Sequence, residues 1–437
     1  MQNFVHKLVQ VLMALVWRVM FPVNFKMDIR FESVIGYDEQ KKELAKAISK
    51  IQKGEKYRPK GIFIGGPEGT GKTLMAKAFI GEAQMPYMII SGGEIKKSAD
   101  IKRVFSVARL EKSCIIFIDE FDAMSKNNNE EKIMAQFNFE MSQTDNVVVI
   151  ATTRRRITKC GRFDVKIEMK FPNFLERKLI IENWNYQNRM LTEGGIEDIA
   201  KKCIGKSFMA IVRILNGAKE NVIQYHNEWN TITNYDFIRA IMKEEKGGIV
   251  KKDNSPEDLK VTAFHEAGHA LMAFASEKER IREITILNFE DSLGHISTYP
   301  IFENIKISKE EMECKIKIAL AGKAAEEVFF GTSSNGARGD LIEATKFVRE
   351  YLIEYCYDTE LGIVPISNLN PSLVSGTEVN NQVLNRTREL LNYFYDETKK
   401  SIIEHQDLIA EIAEKLLKQK IIDESEAYEI YNKYQAK

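Results

Sequence analysis

Residues 61–73 read GIFIGGPEGTGKT. An apolar run, Gly61 to Gly65, is followed by a glycine-rich turn, Gly66 to Thr73, that completes the pattern GxxxxGK[ST], and residues up to Ala83 suit a helix. Strand, glycine loop and helix in that order make a phosphate-binding loop. Small residues let the backbone of Gly66, Pro67, Glu68, Gly69, Thr70 and Gly71 wrap phosphate oxygens, and the helix start adds its dipole. Lys72 then reaches the β- and γ-phosphates, and Thr73 ligates magnesium. Working outward, a helix is expected over 38–52, strands over 85–91, 114–118 and 146–152, and helices over 101–111 and 131–142. Such alternation predicts an α/β core, a parallel sheet with helices on both faces. The run CIIFI, 114–118, delivers Asp119 and Glu120 to the carboxyl end of its strand, where open α/β sheets bind ligands. Asp119 is assigned to magnesium and Glu120 to activation of the attacking water. Strands are expected to stop after Pro172, with three or four helices over 176–244. KGGIVKKDNSPED, Lys246 to Asp258, reads as a linker.

Beyond the linker the chain is expected to be mostly helical, with one extended stretch over 282–300. His265-Glu266-Ala267-Gly268-His269 is a complete HExxH within an apolar helix expected over 259–274. Histidines four apart on a helix are offset by only about 40°, so both imidazoles can face one zinc while Glu266 serves as general base. Burying two imidazoles and a carboxylate without a partner would be costly, which favours a metal site. A third ligand is required, and spacing leaves Glu326, Glu327 and Asp340 open. Asp340 follows the turn-like GTSSNGARG and opens a helix, where it serves either as a ligand or as a cap. The remaining histidines, His6, His226, His295 and His405, read as structural or surface residues.

Composition narrows the class. The 437 residues suffice for two to four domains. Their 63 Lys+Arg balance 63 Asp+Glu, so no basic field exists to hold nucleic acid. The run Arg154 to Arg156 therefore reads as a phosphate-side or intersubunit patch. Five widely spaced cysteines without a CxxC are poor material for a disulfide framework or a cysteine-held zinc. At the start of the chain, residues 4–23, FVHKLVQVLMALVWRVMFPV, are apolar but interrupted by His6, Lys7, Gln10 and Arg18. Those polar residues share one sector with Asn3 and Ala14, leaving Leu8, Leu12, Leu15, Val16, Trp17 and Val19 elsewhere. The expectation is an interfacial membrane anchor, with a short transmembrane helix and a helix buried on a partner as alternatives. No small-x-small site follows to mark a cleaved signal peptide.

Both motifs in this order resemble the FtsH-type AAA+ zinc metalloproteases, from about Phe31 to Lys437. FESVIGYDEQKKEL resembles the family's opening segment, which implies that Ile35 and Gly36 meet adenine. GRFD, Gly161 to Asp164, resembles the second region of homology and makes Arg162 a candidate arginine finger. AFHEAGHAL resembles the zinc helix, and LAGKAAEEVFFG with GARGDLIEAT resembles the stretch carrying the third ligand, by position Asp340. LGHISTYP, 293–300, looks like the segment that pairs with a substrate strand. The resemblance, together with the N-terminal segment and linker read above, implies an anchor over 1–26, an AAA+ core over 27–175, a helical lid over 176–245 and a linker over 246–258. A mostly helical zinc metallopeptidase domain over 259–437 completes it. It also implies zinc, ATP and magnesium as cofactors, protein or peptide substrates, and a homo-hexamer or a mixed hexamer with a homologous subunit. The catalytic domains would face the cytoplasm at the membrane.

The chain departs from the family pattern at four places. Val165 stands where a second arginine is usual, and Arg154, beside Thr153, stands where a sensor asparagine is usual. SGGEIKKSADIKR has no aromatic to grip a polypeptide in a ring pore, and the length leaves no room for an extracytoplasmic domain between two spans. Two competing functions follow: a zinc peptidase whose nucleotide site serves regulation or assembly, and a non-proteolytic AAA+ chaperone or scaffold.

Overall fold

The structure, a computed structural model, describes residues 13–126, 130–154, 163–226, 231–250, 254–290, 292–303, 306–363, 365 and 377–436. It divides into two compact units, Met1–Asn188 with Gly205–Val212, and Arg189–Ile204 with Arg213–Lys437.

The first unit is built on a sheet of five strands, β1 (Gly61–Gly65), β2 (Tyr87–Ser91), β3 (Cys114–Asp119), β4 (Val147–Thr153) and β5 (Val165–Glu168). Their order is β2-β3-β4-β1-β5, and every neighbouring pair is parallel. A short helix α1 over 13–20 precedes the sheet; α2 (Asp38–Gln52), α3 (Lys72–Ala83), α4 (Ser98–Ala108) and α5 (Glu130–Ser142) are interleaved with it. Alternate strand side chains point to opposite faces, and two cores result. Ile62, Ile64, Ile115, Phe117, Val148 and Ile150 pack with Leu44 and Ile48 of α2 and Met75 and Phe79 of α3. Phe63, Ile116, Ile118, Val149 and Ala151 pack with Val104 and Phe105 of α4 and Ile133 and Phe137 of α5. Being covered on both faces, β1, β3 and β4 are continuous apolar runs without polar alternation.

In this unit strands do stop before Pro172, and the structure adds one that the sequence reading did not name. VKIE, β5, pairs with β1 at the sheet edge and buries only Ile167. An edge strand of four residues with two charges has no apolar run to betray it.

The N-terminal segment differs from expectation in part. In α1, Ala14 is buried although it falls in the polar sector, and Trp17 and Phe21 pack against the core cluster formed with α4 and α5. Arg18 Nη2 lies 2.8 Å from Glu111. Leu15, Val16, Val19 and Met20 are exposed. Among the described residues no helix is long and apolar enough to cross a membrane, and residues 4–12 of the expected anchor lie outside them.

Four helices follow the first sheet, α6 (Phe174–Asn188), α7 (Glu193–Lys202), α8 (Phe208–His226) and α9 (Asn234–Lys246). The second unit continues with α10 (Pro256–Ala273), α11 (Lys309–Phe330), α12 (Arg338–Arg349), α13 (Thr377–Glu404), α14 (Gln406–Gln419) and α15 (Glu424–Gln435). α10 begins three residues earlier than its apolar pattern, because Ser255 accepts the Asp258 N–H at 3.0 Å as cap and Pro256 fills the first helical position. The expected single extended stretch is an antiparallel pair, β6 (Glu279–Asn288) and β7 (Leu293–Pro300). β8 (Ile421–Asp423), three residues between two helices, completes the order β7-β6-β8 and leaves β7 at an edge. Below this sheet, α10, α11 and α14 enclose a core of Ala267, Leu271, Ala321, Ala325, Ile409 and Ile412.

Candidate nucleotide site and metal centre

The phosphate loop joins β1 to α3, and Gly66, Gly69 and Gly71 hold φ of 152°, 75° and 87°, values that side chains resist. Lys72 Nζ donates to the Pro67 carbonyl at 2.6 Å, folding back over the loop. Burial first, and the Arg154 charge second, hold its ammonium below the ordinary lysine range. Thr73 Oγ1 lies 3.1 Å from both oxygens of Asp119, so a hydroxyl and a carboxylate meet at one place beside the loop, as a magnesium site needs.

Neighbouring strand ends finish the site. Thr152, at the end of β4, donates its hydroxyl to Asp119 Oδ1 and accepts the Glu120 N–H at 3.1 Å. Glu120 has φ +53°, a strained value for glutamate. Sequence reasoning missed Thr152; the parallel register pairing Ile118 with Ala151 is what sets it beside Asp119. Also missed was the start of α8, where Met209 N donates to the Gly69 carbonyl at 3.1 Å. Gly36 has φ +71° and Tyr37 N donates to Glu176 Oε1 at 3.0 Å, so Ile35 and Gly36 sit on a turn tied to the start of α6. Arg162, with Gly161, Arg155 and Arg156, lies outside the described residues.

In the second unit α10 buries His265, Glu266 and His269, exposed by 8%, 4% and 5%. His265 Nε2 lies 3.0 Å from His269 Nε2 and 3.0 Å from Asp340 Oδ2, and His269 Nε2 is 3.5 Å from the same oxygen. Zinc bonds of roughly 2 Å at tetrahedral angles put ligand atoms about 3.3 Å apart, so the three atoms fit one zinc and leave a fourth position open. Asp340 is the third residue of α12 and not its cap, which is Ala337.

Both imidazoles have a second partner. His269 Nδ1 contacts the Ile318 carbonyl at 2.6 Å, and His265 Nδ1 contacts Glu326 Oε1 at 2.6 Å. Such bonds fix ring orientation. Glu326 also accepts from Ser334, through its N–H and, at 3.1 Å, its hydroxyl, and so ties His265 to the turn that leads to Asp340. Among the three acidic candidates, Glu326 is thus a support for a ligand. Glu327 is held by Lys323 at 2.5 Å and Lys399 at 2.8 Å. Burial opposes protonation of His265, but the hydrogen bonds it donates to Asp340 and Glu326 outweigh it and lift the imidazole to about 10. Burial raises the Glu266 carboxyl above its ordinary value, the direction a general base near neutral pH requires.

Two glycines make the geometry feasible. A Cβ on Gly322 of α11 would come within 2.3 Å of the His265 ring, and one on Gly294 of β7 would lie 2.8 Å from Glu266 Oε1. Edge strand β7 therefore runs directly past Glu266. Beside it, the half-buried His295 packs its ring on Phe289 with its Nε2 3.5 Å from Glu283 Oε1.

Comparison with known proteins bears on both sites. A model of the ATPase family associated with various cellular activities (AAA) matches residues 62–171, and one of peptidase family M41 matches residues 253–430. An ATP-dependent zinc metalloprotease FtsH of Lachnoclostridium phytofermentans is 30% identical over 89% of this chain and 72% of its own length. The chain belongs to the FtsH family of ATP-dependent zinc metalloproteases. Other FtsH relatives are FtsH 1 of Phytoplasma mali, 29% identical over 91% of this chain and 70% of its own length, and FtsH of Clostridium perfringens, 30% identical over 94% and 62%. Against this last relative the chain spans less than two thirds of the length. FtsH membership makes zinc, ATP and its magnesium the cofactors, which agrees with the donor sets of the two sites. It also removes the non-proteolytic AAA+ chaperone or scaffold from the readings open at the outset.

Proposed function

We propose that this FtsH-family chain couples ATP hydrolysis in its first unit to peptide hydrolysis in its second, with protein or peptide chains as substrates. The convergence of His265 Nε2, His269 Nε2 and Asp340 Oδ2 beside a buried Glu266 carries the reading. His265, His269 and Asp340 would hold the zinc, which would supply a Lewis acid for the scissile carbonyl and for a water able to lose a proton near neutral pH. Glu266 takes that proton and returns it to the leaving amine. β7 presents a free strand edge to an extended substrate, and its residue Gly294 admits the scissile bond close to Glu266.

In the first unit Gly66 to Gly71 cradle the phosphates and Lys72 pairs with them. Thr73 and Asp119 hold magnesium, Glu120 orients the attacking water, and Arg162 acts on a neighbouring subunit's nucleotide. Ile35 and Gly36 meet the adenine. A hexamer, of one subunit type or mixed, follows from that use of Arg162. The domain plan stays as the sequence divides it: anchor 1–26, core 27–175, lid 176–245, linker 246–258 and peptidase 259–437. The exposed Leu15, Val16, Val19 and Met20 of α1 support contact with a membrane surface, with the catalytic domains on its cytoplasmic side.

One experiment tests the whole. Cleavage of a loosely folded and of a stably folded protein is followed with and without ATP in wild type, Glu266→Gln and Glu120→Gln. The expected result is that Glu266→Gln stops both cleavages, while Glu120→Gln stops only that of the folded protein. Cleavage surviving Glu266→Gln would remove the zinc mechanism, and folded-protein cleavage surviving Glu120→Gln would remove the coupling. For the anchor, membrane association unchanged by deletion of residues 1–26 would remove that part.

A further inference from the structure

β7 is held in register by a short ladder. β6 carries an extra residue against it at two places, once at Arg282 and once opposite Gly294, so that only Glu283, Ile284 and Thr285 pair in step, with Ser297, Ile296 and His295. Gly294 lies at the second irregularity, with φ +76°, and a Cβ there would meet Thr262 at 2.7 Å and Glu266 at 2.8 Å. Glycine permits that approach and attracts nothing. A slip of two residues would keep every side chain on its own face, so the apolar pattern does not forbid it, and it would carry Gly294 away from Glu266. The contact that opposes a slip is made by His295. It points to the other face of the sheet from Gly294, with its ring 4.8 Å from that of Phe289 and its Nε2 3.5 Å from Glu283 Oε1. Its two ring nitrogens are cut off from solvent, and neither makes a hydrogen bond with the described residues. Burying them in this way costs stability, which an apolar side chain would avoid. A polar ring that must face one buried charge instead selects one register. That charge is fixed: Glu283 is fully buried and takes Arg282 Nε at 2.7 Å, and Arg282 reaches Glu245 of α9 through two bonds of 3.1 and 2.6 Å. Phe289 is fixed from the same side, packing with Ile238 and Met242 of α9.

We propose that His295 is a positioning residue for peptide hydrolysis: seated on Phe289 and facing the buried Glu283, its imidazole fixes the register of β7 and so keeps the Gly294 backbone against Glu266. The proposal rests on the reading of β7 as the edge that takes the substrate beside Glu266. A substrate strand that pairs with β7 inherits its register, so a slipped β7 still binds a peptide but offers the wrong bond to Glu266. Loss of the lock therefore lowers turnover and leaves binding.

The test compares His295→Phe, which keeps an aromatic ring, with His295→Gln, which keeps a donor for Glu283, in the full chain with zinc and ATP. kcat and KM are measured on an internally quenched, unstructured peptide. Thermal unfolding, zinc content and hydrogen exchange of the β7 amides, the last also without zinc, accompany them. In His295→Phe, kcat is expected to fall about tenfold or more with KM within about twofold of wild type, while the melting temperature holds or rises and the β7 amides exchange faster. His295→Gln is expected to restore part of the turnover and of the exchange protection. Unchanged kcat in His295→Phe would overturn the proposal, as would a change confined to KM, equal losses in both variants, or a fall in turnover matched by lost zinc or a lower melting temperature. Glu266→Gln tells this apart from the underlying reading. An inactive Glu266→Gln beside a fully active His295→Phe removes only the part of His295, whereas cleavage that survives Glu266→Gln removes the catalytic reading of Glu266 and β7 itself.

Discussion

The nucleotide loop of the first unit and the metal triad of the second are built from different materials. The loop uses backbone groups of a glycine turn, and its charged side chains, Glu68, Glu120 and Arg154, stand half exposed or more. The triad uses two buried imidazoles, each fixed by a further partner, His265 by Glu326 and His269 by the Ile318 carbonyl, together with the half-buried Asp340. Exposed pairs contribute little and exchange easily, so a nucleotide can rearrange them. Buried imidazoles and carboxylates cannot be left unpaired without large cost, so the triad is a fixed part of its fold. Substitutions should separate the two regions by whether stability moves along with activity.

The largest effect is expected from Glu266→Gln, which keeps shape and removes the proton acceptor. Peptide cleavage should fall by roughly 10²–10⁴ while zinc content, read by metal analysis, stays at the wild-type level. Loss of zinc in this variant would show that Glu266 also holds the triad in place.

Next in size is the buried pair under the active-site sheet. Glu283 is fully buried on β6, and Arg282 faces it at 2.7 Å while also reaching Glu245 at 2.6 Å. Arg282→Met leaves Glu283 buried without its charge partner and should cost about 3–5 kcal/mol in denaturant unfolding. The pH dependence sharpens the point. Burial alone would raise the Glu283 carboxyl, but the Arg282 charge outweighs it and holds the group down at about 2, below an ordinary value of 4.5. A depressed folded-state value means that the contribution is fully present above pH 4.5 and is lost as pH falls toward 2. In Arg282→Met this part of the acid-induced loss should shrink. An equally steep loss would assign it to other carboxylates.

Glu326→Gln is expected to weaken zinc by about 10–100-fold in a chelator competition, since His265 loses the carboxylate behind it. The same change should lower the melting temperature, because the single amide oxygen of Gln cannot replace both carboxylate oxygens, which accept from His265 and from the Ser334 N–H. Smallest of all, Glu68→Gln in the nucleotide loop should leave stability within about 0.5 kcal/mol of wild type. A larger loss would place the loop among fixed structures and erase the contrast.

How much was legible in the sequence differs between the sites in the same way. Gly66 to Thr73 and His265 to His269 are local: a loop and one helical turn bring their groups together within a few residues, so spacing sufficed. Asp119 and Glu120 were legible because an apolar run ends at them. By contrast Thr152, Glu326, Gly322 and Gly294 carry no local signal. Thr152 reaches Asp119 through parallel strand register, and Gly322 matters only because α11 crosses α10 at the His265 ring. β5 and β8 escaped for a related reason, since four- and three-residue strands are defined by the partner they join and not by their own pattern.

By itself the sequence determined the alternation that makes a parallel sheet, the phosphate loop, the metal-binding helix and, by resemblance, the family. Those features depend on short-range periodicity and residue chemistry. Tertiary structure decided that Glu326 supports a ligand while Asp340 joins His265 and His269. It also decided that β7 passes Glu266 at an open sheet edge and that Arg154 bridges Glu68 and Glu120. Each of these depends on side chains from distant elements meeting at bonding distance, which packing sets and one-dimensional spacing does not.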